Sequence, residues 1–219
     1  MRFADLLSPK VWATLAVCIL VCACSSPDKP RPAELEASPA RLGVSQVWSN
    51  ALGVVSFPLS MRVVDGQLFA AGSDGTVVVI NAATGQDIWR SKLSSELMAG
   101  VGTDGNNVAV VSRDNEVVLL NFGKEVWRQR IGASTLTAPL VAGGRVFTLA
   151  GDRTVLAFDV TSGRKLWQQQ RSGDSLVLGQ AGVIFAAGDT LVVGWGGRLV
   201  GLNPQNGNVR WDVPVARPR

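Results

Sequence analysis

Four tryptophans recur at a nearly constant distance along the chain, and this period constrains the fold more than any other feature. Trp89, Trp127, Trp167 and Trp211 each close a unit of two apolar runs separated by a Gly, Asp or Asn turn, followed by a loop usually closed by Gly. Counted from Trp48, the successive spacings are 41, 38, 40 and 44 residues. A period of about 40 residues is typical of a β-propeller blade of four short strands. The sequence therefore predicts an all-β propeller with about four blades.

The apolar runs within the units resemble buried strands. Thr76 to Ile80 and Glu116 to Leu120 are apolar nearly throughout instead of alternating, which favours strands that neighbouring blades cover on both faces. Asp-Gly, Gly-Gly and Asp-Asn pairs between the runs predict tight hairpin turns. We expect no helix of useful length. The recurring tryptophans are expected to lie between adjacent blades and to serve packing.

The composition argues against several classes of function. The chain is 47% hydrophobic and contains 24 glycines, as expected for a folded β-rich protein. It has no histidine, which excludes His-based catalytic triads and His metal ligands. The net charge of +4 is mixed along the chain, so nucleic-acid binding is not expected. We expect no catalytic residue, no metal site and no cofactor.

Two patterns that could carry chemistry are better explained by the repeat. Gly100, Gly102 and Gly105 have the spacing of a dinucleotide fingerprint, but Asn107 to Ser112 follows them as a predicted strand where the fingerprint requires a helix. Several carboxylates fall at turn positions that the repeat makes equivalent, and we interpret them as turn formers instead of paired acid and base. These are Asp74, Asp152, Asp159 and Asp189.

The first 23 residues predict a secretion signal. A charged start is followed by the apolar stretch from Val11 to Ala23, whose 13 residues are too few for an ordinary transmembrane helix of about 20. Val21-Cys22-Ala23-Cys24 resembles the lipobox of bacterial lipoproteins. The resemblance implies that Cys24 becomes the acylated N-terminus, and Ser25 after it favours the outer membrane. An ordinary signal peptide with incidental cysteines is the alternative.

The chain after the signal divides into a linker and the repeats. Residues 24–43 contain four prolines and no apolar periodicity, which predicts a flexible tether after the lipidated cysteine. Residues 44–219 hold the repeats. Their first stretch, Val44 to Ala51, looks like the final strand of a blade without the strands that should precede it.

One unit carries an insertion. From Trp167 to the next turn glycine, Gly188, the distance is 21 residues, against 16 at the two preceding positions. The extra residues fall in Arg171 to Gly182, and insertions in repeat proteins often lie on the binding face. Leu176 and Leu178 would then be exposed in a loop. The alternative is that this segment lengthens the first strand of the next blade.

The repeat ends resemble a known family. TVVVINAATGQDIW, TVLAFDVTSGRKLW and RLVGLNPQNGNVRW are similar to the PQQ-like propeller repeat, which occurs both in quinoprotein dehydrogenases and in non-enzymatic lipoproteins. Together with Cys24, they make the chain resemble the BamB family of outer-membrane protein assembly lipoproteins. That resemblance implies a scaffold without catalysis or cofactor, anchored to the outer membrane and facing the periplasm.

The resemblance also implies a partner and its contact. Members of the family belong to the outer-membrane β-barrel assembly (BAM) complex, whose other components are implied partners as well. They bind the POTRA domains of BamA through a Leu-x-Leu-Arg motif in the inserted region, and Leu176, Val177 and Leu178 match its first three positions. Gly179 stands in place of the arginine. The family has an eight-bladed ring of nearly twice this folded length, so we expect the chain to be an N-terminal, truncated portion. A quinone-dependent dehydrogenase and a ligand-binding propeller are the alternatives.

Overall fold

The chain divides between Ser45 and Gln46, and the second unit, Gln46–Arg219, is the one described below. The computed structural model describes residue 43 and residues 45–170, 182–195 and 197–215. Within these residues every regular element is a β-strand, as the sequence predicts, and no helix occurs. Accordingly, no helix capable of crossing a membrane is found in the described part of the chain.

Sixteen strands form four antiparallel sheets, and in each sheet the strands follow one another in chain order. The four sheets, here called blades 1 to 4, take four consecutive strands each. Their bounds are β1 (Arg62–Val64), β2 (Gln67–Ala71), β3 (Thr76–Asn81), β4 (Asp87–Lys92), β5 (Leu97–Thr103), β6 (Asn107–Ser112), β7 (Glu116–Asn121), β8 (Lys124–Arg130), β9 (Leu140–Ala142), β10 (Arg145–Leu149), β11 (Thr154–Asp159), β12 (Lys165–Gln170), β13 (Val183–Ala187), β14 (Thr190–Trp195), β15 (Arg198–Leu202) and β16 (Val209–Pro214).

The hairpins are formed by the turn pairs that the sequence indicates. Asp65 and Gly66 join β1 to β2 with φ of 49° and 73°, and Gly143 and Gly144 join β9 to β10 with φ of 57° and 70°. Two consecutive residues with positive φ match the twist of antiparallel strands, and glycine or aspartate adopts this backbone at little cost. The predicted tight turns are therefore confirmed.

The hydrophobic core lies in layers between the blades. One buried cluster joins side chains of blades 1 and 2, a second joins blades 2 and 3, and a third joins blades 3 and 4. The second and third strands are buried on both faces, as in β3, where Thr76 to Ile80 are all buried. The fourth strands are mostly exposed. Because the first strands of successive blades contact one another, the blades pack side by side around an inner edge.

This arrangement confirms the predicted all-β propeller with four-stranded blades. The described residues contain four blades, in agreement with the repeat count. The doubly buried strands explain why their sequences are apolar throughout instead of alternating.

The predicted strand from Val44 to Ala51 is wrong. Residues 45–61 contain no strand, because their backbone makes isolated hydrogen bonds to the blades, such as that from the Val101 amide to the Ser60 carbonyl at 3.0 Å, and not a continuous ladder. Residues 46–60, here called the N-terminal strap, instead lie against blade 1. The strap carbonyl of Val54 accepts a hydrogen bond from the Ser73 amide at 2.8 Å. Trp48 and Leu52 pack on a buried cluster of blade 1 that includes Val78.

Candidate partner-binding site

The tryptophans that define the repeat are placed by a β-bulge. In every blade the pairing between the third and fourth strands shifts by one residue next to the tryptophan, as between Val79 and Ile80 opposite Trp89. The unpaired residue directly precedes the tryptophan, for example Leu166 before Trp167. A bulge bends its strand and changes the direction of the neighbouring side chain. This feature turns the indole toward the following blade.

Each indole between two blades contacts the turn between the third and fourth strands of the next blade, and those of Trp127 and Trp167 also donate a hydrogen bond to it, whereas Trp89 packs on Gly123. The indole N–H of Trp127 donates a hydrogen bond to the Val160 carbonyl at 2.8 Å, and that of Trp167 donates to the Pro204 carbonyl at 3.0 Å. Trp48 of the strap donates in the same way to the Ala82 carbonyl of blade 1 at 2.9 Å. We call this contact the Trp–turn lock.

A glycine in the receiving turn makes the Trp–turn lock possible. Gly163 has φ of +69°, and a Cβ at this position would lie 2.7 Å from the Trp127 ring. Gly207 and Gly85 stand in the same relation to Trp167 and Trp48. Glycine is therefore required twice, for the left-handed backbone and for the close approach of the ring. The predicted packing role of the tryptophans between blades is confirmed.

Trp211 stands at the same position of blade 4 but lies in different surroundings. Its ring packs over Gly201 of its own sheet, and it is 39% exposed. The neighbouring apolar side chains Val183, Phe185 and Val213 are exposed as well, at 52%, 41% and 45%. Within the described residues, the outward side of blade 4 is thus an apolar face without a covering blade.

The inserted segment lies in the connection from blade 3 to blade 4. Residues 93–96 join β4 to β5 and residues 131–139 join β8 to β9, whereas this third connection extends over residues 171–182. Leu176 and Leu178, the predicted partner-binding residues, lie outside the described residues, as does Cys24. At the C-terminal end of the connection, the Gly182 amide donates to Thr137 Oγ1 at 2.8 Å. The blades therefore hold this end of the connection against Thr137.

The aspartates form turns, as predicted, but they do not all occupy equivalent turns. Asp74 and Asp152 lie between the second and third strands and accept bonds from the amides two residues later, Thr76 and Thr154. Asp159 lies in a turn between third and fourth strands, where hydrogen bonds from Ser162 and then Thr161 hold its pKa below the usual value. No cluster of three potential metal-ligating residues occurs within the described part of the chain.

Asp189 belongs to the turn between the first two strands of blade 4, and it pairs with Arg210. The Arg210 guanidinium lies 2.8 Å from Asp189 Oδ1. This hydrogen bond and the positive charge lower the pKa of the Asp189 carboxyl. The repeat alignment did not indicate that this aspartate has a cationic partner.

The glycines that match a dinucleotide fingerprint belong to the blade, as predicted, but the explanation by a turn holds only for Gly105, whose φ is 101°. Gly100 and Gly102 lie within β5, and the strand β6 follows them. A Cβ on Gly102 would overlap with the Pro139 carbonyl, where the chain enters blade 3. A Cβ on Gly100 would meet Val110 and Ala71. These positions admit only glycine because neighbouring backbone and side chains approach so closely.

Four-stranded blades joined through Trp–turn locks define a β-propeller of the PQQ-like repeat class. The family model described as "Outer membrane protein assembly factor BamB" matches residues 73–219. The chain therefore belongs to the BamB family of outer membrane protein assembly factors.

Individual proteins agree with this assignment. The chain is 35% identical over 213 residues to the outer membrane protein assembly factor BamB of Burkholderia pseudomallei, covering 94% of this chain and 56% of that protein. The chain spans about half the length of the curated relatives it matches.

Solved structures show the same fold. The crystal structure of BamB from Moraxella catarrhalis aligns with a TM-score of 0.62 at 21% identity, covering 70% of this chain and 47% of that one. A quinohemoprotein alcohol dehydrogenase from Comamonas testosteroni aligns with a TM-score of 0.55 at 19% identity, covering 74% and 35%. At these identities the likeness concerns the fold alone.

Proposed function

We propose that the chain is part of a non-enzymatic scaffold that assists the assembly of outer-membrane proteins. The observation that carries this proposal is the family match over residues 73–219, supported by 35% identity to an outer membrane protein assembly factor over nearly the whole chain. The fold suits a scaffold, because stacked blades with buried interfaces form a rigid body that presents its connections as a binding surface.

The partner in this proposal is BamA, bound through its POTRA domains. The contact residues are Leu176 and Leu178 in the connection from blade 3 to blade 4. The described end of this connection supports the assignment, because Gly182 is packed against Leu149 and bonded to Thr137. Fixing one end of a connection reduces the conformational freedom that is left to lose on binding.

The test is recovery of BamA with the full-length chain from the envelope of a Gram-negative host. We expect the wild-type chain to recover BamA, and the double variant Leu176→Ala, Leu178→Ala to recover about thirtyfold less, since two apolar contacts contribute about 1 kcal/mol each. Val177→Ala is the matched control and should recover BamA normally. Failure of the wild-type chain to recover BamA would contradict the proposal.

Anchoring through Cys24 is the second part of the proposal. Growth with labelled palmitate should label the wild-type chain. Membrane fractionation should recover the chain with the outer membrane, facing the periplasm. Cys24→Ser should lose the label and the membrane association, because serine lacks the thiol that carries the acyl chain. Cys18→Ser, which changes a cysteine inside the signal, is the control and should keep both. Equal labelling of the two variants would assign the acyl chain to another residue.

The scaffold proposal also predicts that quinone cofactors do not bind. Pyrroloquinoline quinone with calcium should leave the melting temperature of the purified chain unchanged, because only a ligand that binds the native state raises it. A concentration-dependent rise in the melting temperature would support the dehydrogenase alternative instead.

A further inference from the structure

A small pocket opens between blades 3 and 4. It is formed by the hairpin that joins β9 to β10, the hairpin that joins β13 to β14, and the turn between β15 and β16. Strand alternation places these turns at the opposite end of the sheets from Gln170 and Gly182, between which the chain carries Leu176 and Leu178. Phe147 and Leu191 form the apolar floor, and Arg145 and Gln205 contribute polar groups to the wall. We call this site the Arg145 pocket.

The charge of Arg145 is not balanced within the described structure. Its Nη1 donates to the Gly143 carbonyl at 3.1 Å, its Nη2 donates to Gln205 Oε1, and its Nε is buried without a hydrogen-bond partner. Both acceptors are neutral. A partly buried guanidinium next to apolar side chains favours an anionic partner, because it has lost part of its hydration.

The nearby carboxylates are already engaged. Asp159 lies opposite Arg145 in the register of β10 and β11, but its carboxylate accepts hydrogen bonds from Thr161 and Ser162 in its own turn. Asp189 lines the pocket and is paired with Arg210. Neither carboxylate is bonded to the Arg145 guanidinium, so an external anion would complete its coordination.

Comparison of the blades shows that folding does not require a charge at this position. Gln67 of blade 1 and Asn107 of blade 2 hold the same place in the strand register as Arg145, each opposite the last residue of the third strand. Both are neutral amides. The arginine of blade 3 therefore departs from the repeat at a pocket wall, which is expected for a residue that binds a ligand.

The pocket wall is held in place by the Trp–turn lock of Trp167. The Trp167 indole bonds to the Pro204 carbonyl, next to Gln205, and its ring lies 5.9 Å from that of Phe147. The pocket volume is about 110 Å³. This exceeds the ~10–15 Å³ that one water requires and is below the ~300 Å³ of the smallest drug-sized sites. The volume suits a carboxylate with one or two methylene groups.

We propose that the Arg145 pocket binds an acidic side chain, aspartate or glutamate, of a partner polypeptide. The carboxylate accepts hydrogen bonds from the Arg145 guanidinium, and the methylene groups adjoin the apolar floor. This site is separate from the BamA contact proposed above, since it lies at the end of the blades away from Gln170 and Gly182, which bound the connection.

The probe is a fluorescein-labelled heptapeptide with one central glutamate among glycines and serines, compared with the same peptide carrying glutamine. Fluorescence anisotropy with the full-length chain in detergent should show saturable binding of the glutamate peptide at up to low millimolar concentration, and binding of the glutamine peptide about tenfold weaker or more. A charge-assisted hydrogen bond accounts for a difference of this size.

Matched variants locate the binding. Arg145→Gln should bind the glutamate peptide about tenfold more weakly, and it should fold because blade 1 carries glutamine at this position. Arg164→Gln removes an equal charge from an exposed turn nearby and should bind as the wild type does. Ala186→Leu fills the pocket while retaining Arg145, and it should also weaken binding.

Three results would overturn the assignment: no saturable binding to the wild-type chain, equal binding of the two peptides, or unchanged binding to Arg145→Gln. The variant Leu176→Ala, Leu178→Ala should bind the peptide normally. The peptide measurement therefore tests the Arg145 pocket independently of whether BamA is recovered.

Discussion

Trp127 and Trp211 hold the same position in blades 2 and 4, each directly after the bulge of a fourth strand, and they differ in what lies beyond them. Trp127 is 8% exposed, packs against Phe158 at 6.0 Å between ring centroids, and bonds to the Val160 carbonyl of blade 3. Trp211 is 39% exposed and folds back over Gly201 of its own sheet. The bulge aims the indole, but the receiving turn is needed to bury it.

Truncation of the two tryptophans should show the largest difference in stability between an indole that a receiving turn covers and one that no turn covers. Trp127→Ala is expected to lower the free energy of unfolding by about 3–5 kcal/mol, because it empties a buried site between two blades. Trp211→Ala should lower it by less than about 2 kcal/mol, since the side chain is partly solvated already. Urea denaturation followed by circular dichroism measures both, and equal losses would show that blade 3 contributes little to burying Trp127.

The receiving turn can be tested from the other side. Gly163→Ala should cost about 2 kcal/mol or more, because alanine is strained at φ of +69° and its Cβ would displace the Trp127 ring. Gly188→Ala is the matched control, since φ is +58° and no heavy atom lies within 4 Å of the added Cβ. It should cost only about 1 kcal/mol, the strain alone. Urea denaturation again measures the free energy of unfolding. If Gly188→Ala lowers it as much as Gly163→Ala does, contact with the Trp127 ring does not contribute to the cost.

The hydrogen bond of the Trp–turn lock can be removed while an aromatic ring is kept. Trp48→Phe deletes the N–H that donates to the Ala82 carbonyl and should cost about 1 kcal/mol beyond the effect of the smaller ring. Trp211→Phe should show no such additional loss, because no described group accepts its indole N–H. Thermal unfolding of both variants measures the difference. An equal shift in the two melting temperatures would mean that the hydrogen bond of the strap adds nothing.

The smallest expected effect concerns charge at the strap side of blade 1. A hydrogen bond from Lys92 lowers the pKa of Asp74 from 3.8 to about 2. Stability from this pair is therefore complete above about pH 4 and is lost as the pH falls toward 2. Both side chains are more than a third exposed, so solvent screening keeps the contribution below about 1 kcal/mol.

Asp74→Asn tests this contribution. It should flatten the dependence of the melting temperature on pH between 4 and 2, with little effect at pH 7 beyond the lost ion pair. A wild-type slope in Asp74→Asn would assign the acid sensitivity to other carboxylates.

The sequence predicted the blades because their period and doubly buried strands leave a strong pattern. It also predicted where the tryptophans lie, since a large aromatic residue at a fixed place in each repeat must fill a recurring space. The strap was mistaken for a strand, because the spacing from Trp48 to Trp89 reports the position of an indole and not the backbone around it. The bulges have no signature in composition, since their unpaired residues are as different as Ile88, Leu166 and Arg210.

Arg145 was missed although the repeat contains its signal. A residue-by-residue alignment of the hairpins places it beside Gln67 and Asn107, and one charge in a column of neutral residues is visible without a structure. The pairing of Asp189 with Arg210 could not be read in this way, because it depends on side-chain directions across the sheet. Leu176 and Leu178 remain a prediction.

The Trp–turn lock gives every repeat two complementary halves, an indole on its fourth strand and a glycine turn just before that strand. A gene segment that encodes one repeat can therefore be copied or deleted, and the units on either side of the change still fit each other. Lengthening such a protein requires no newly evolved interface. The same modularity means that any linear series of repeats leaves one half unmatched at each end, and evolution must supply a strap, a partner or ring closure for it.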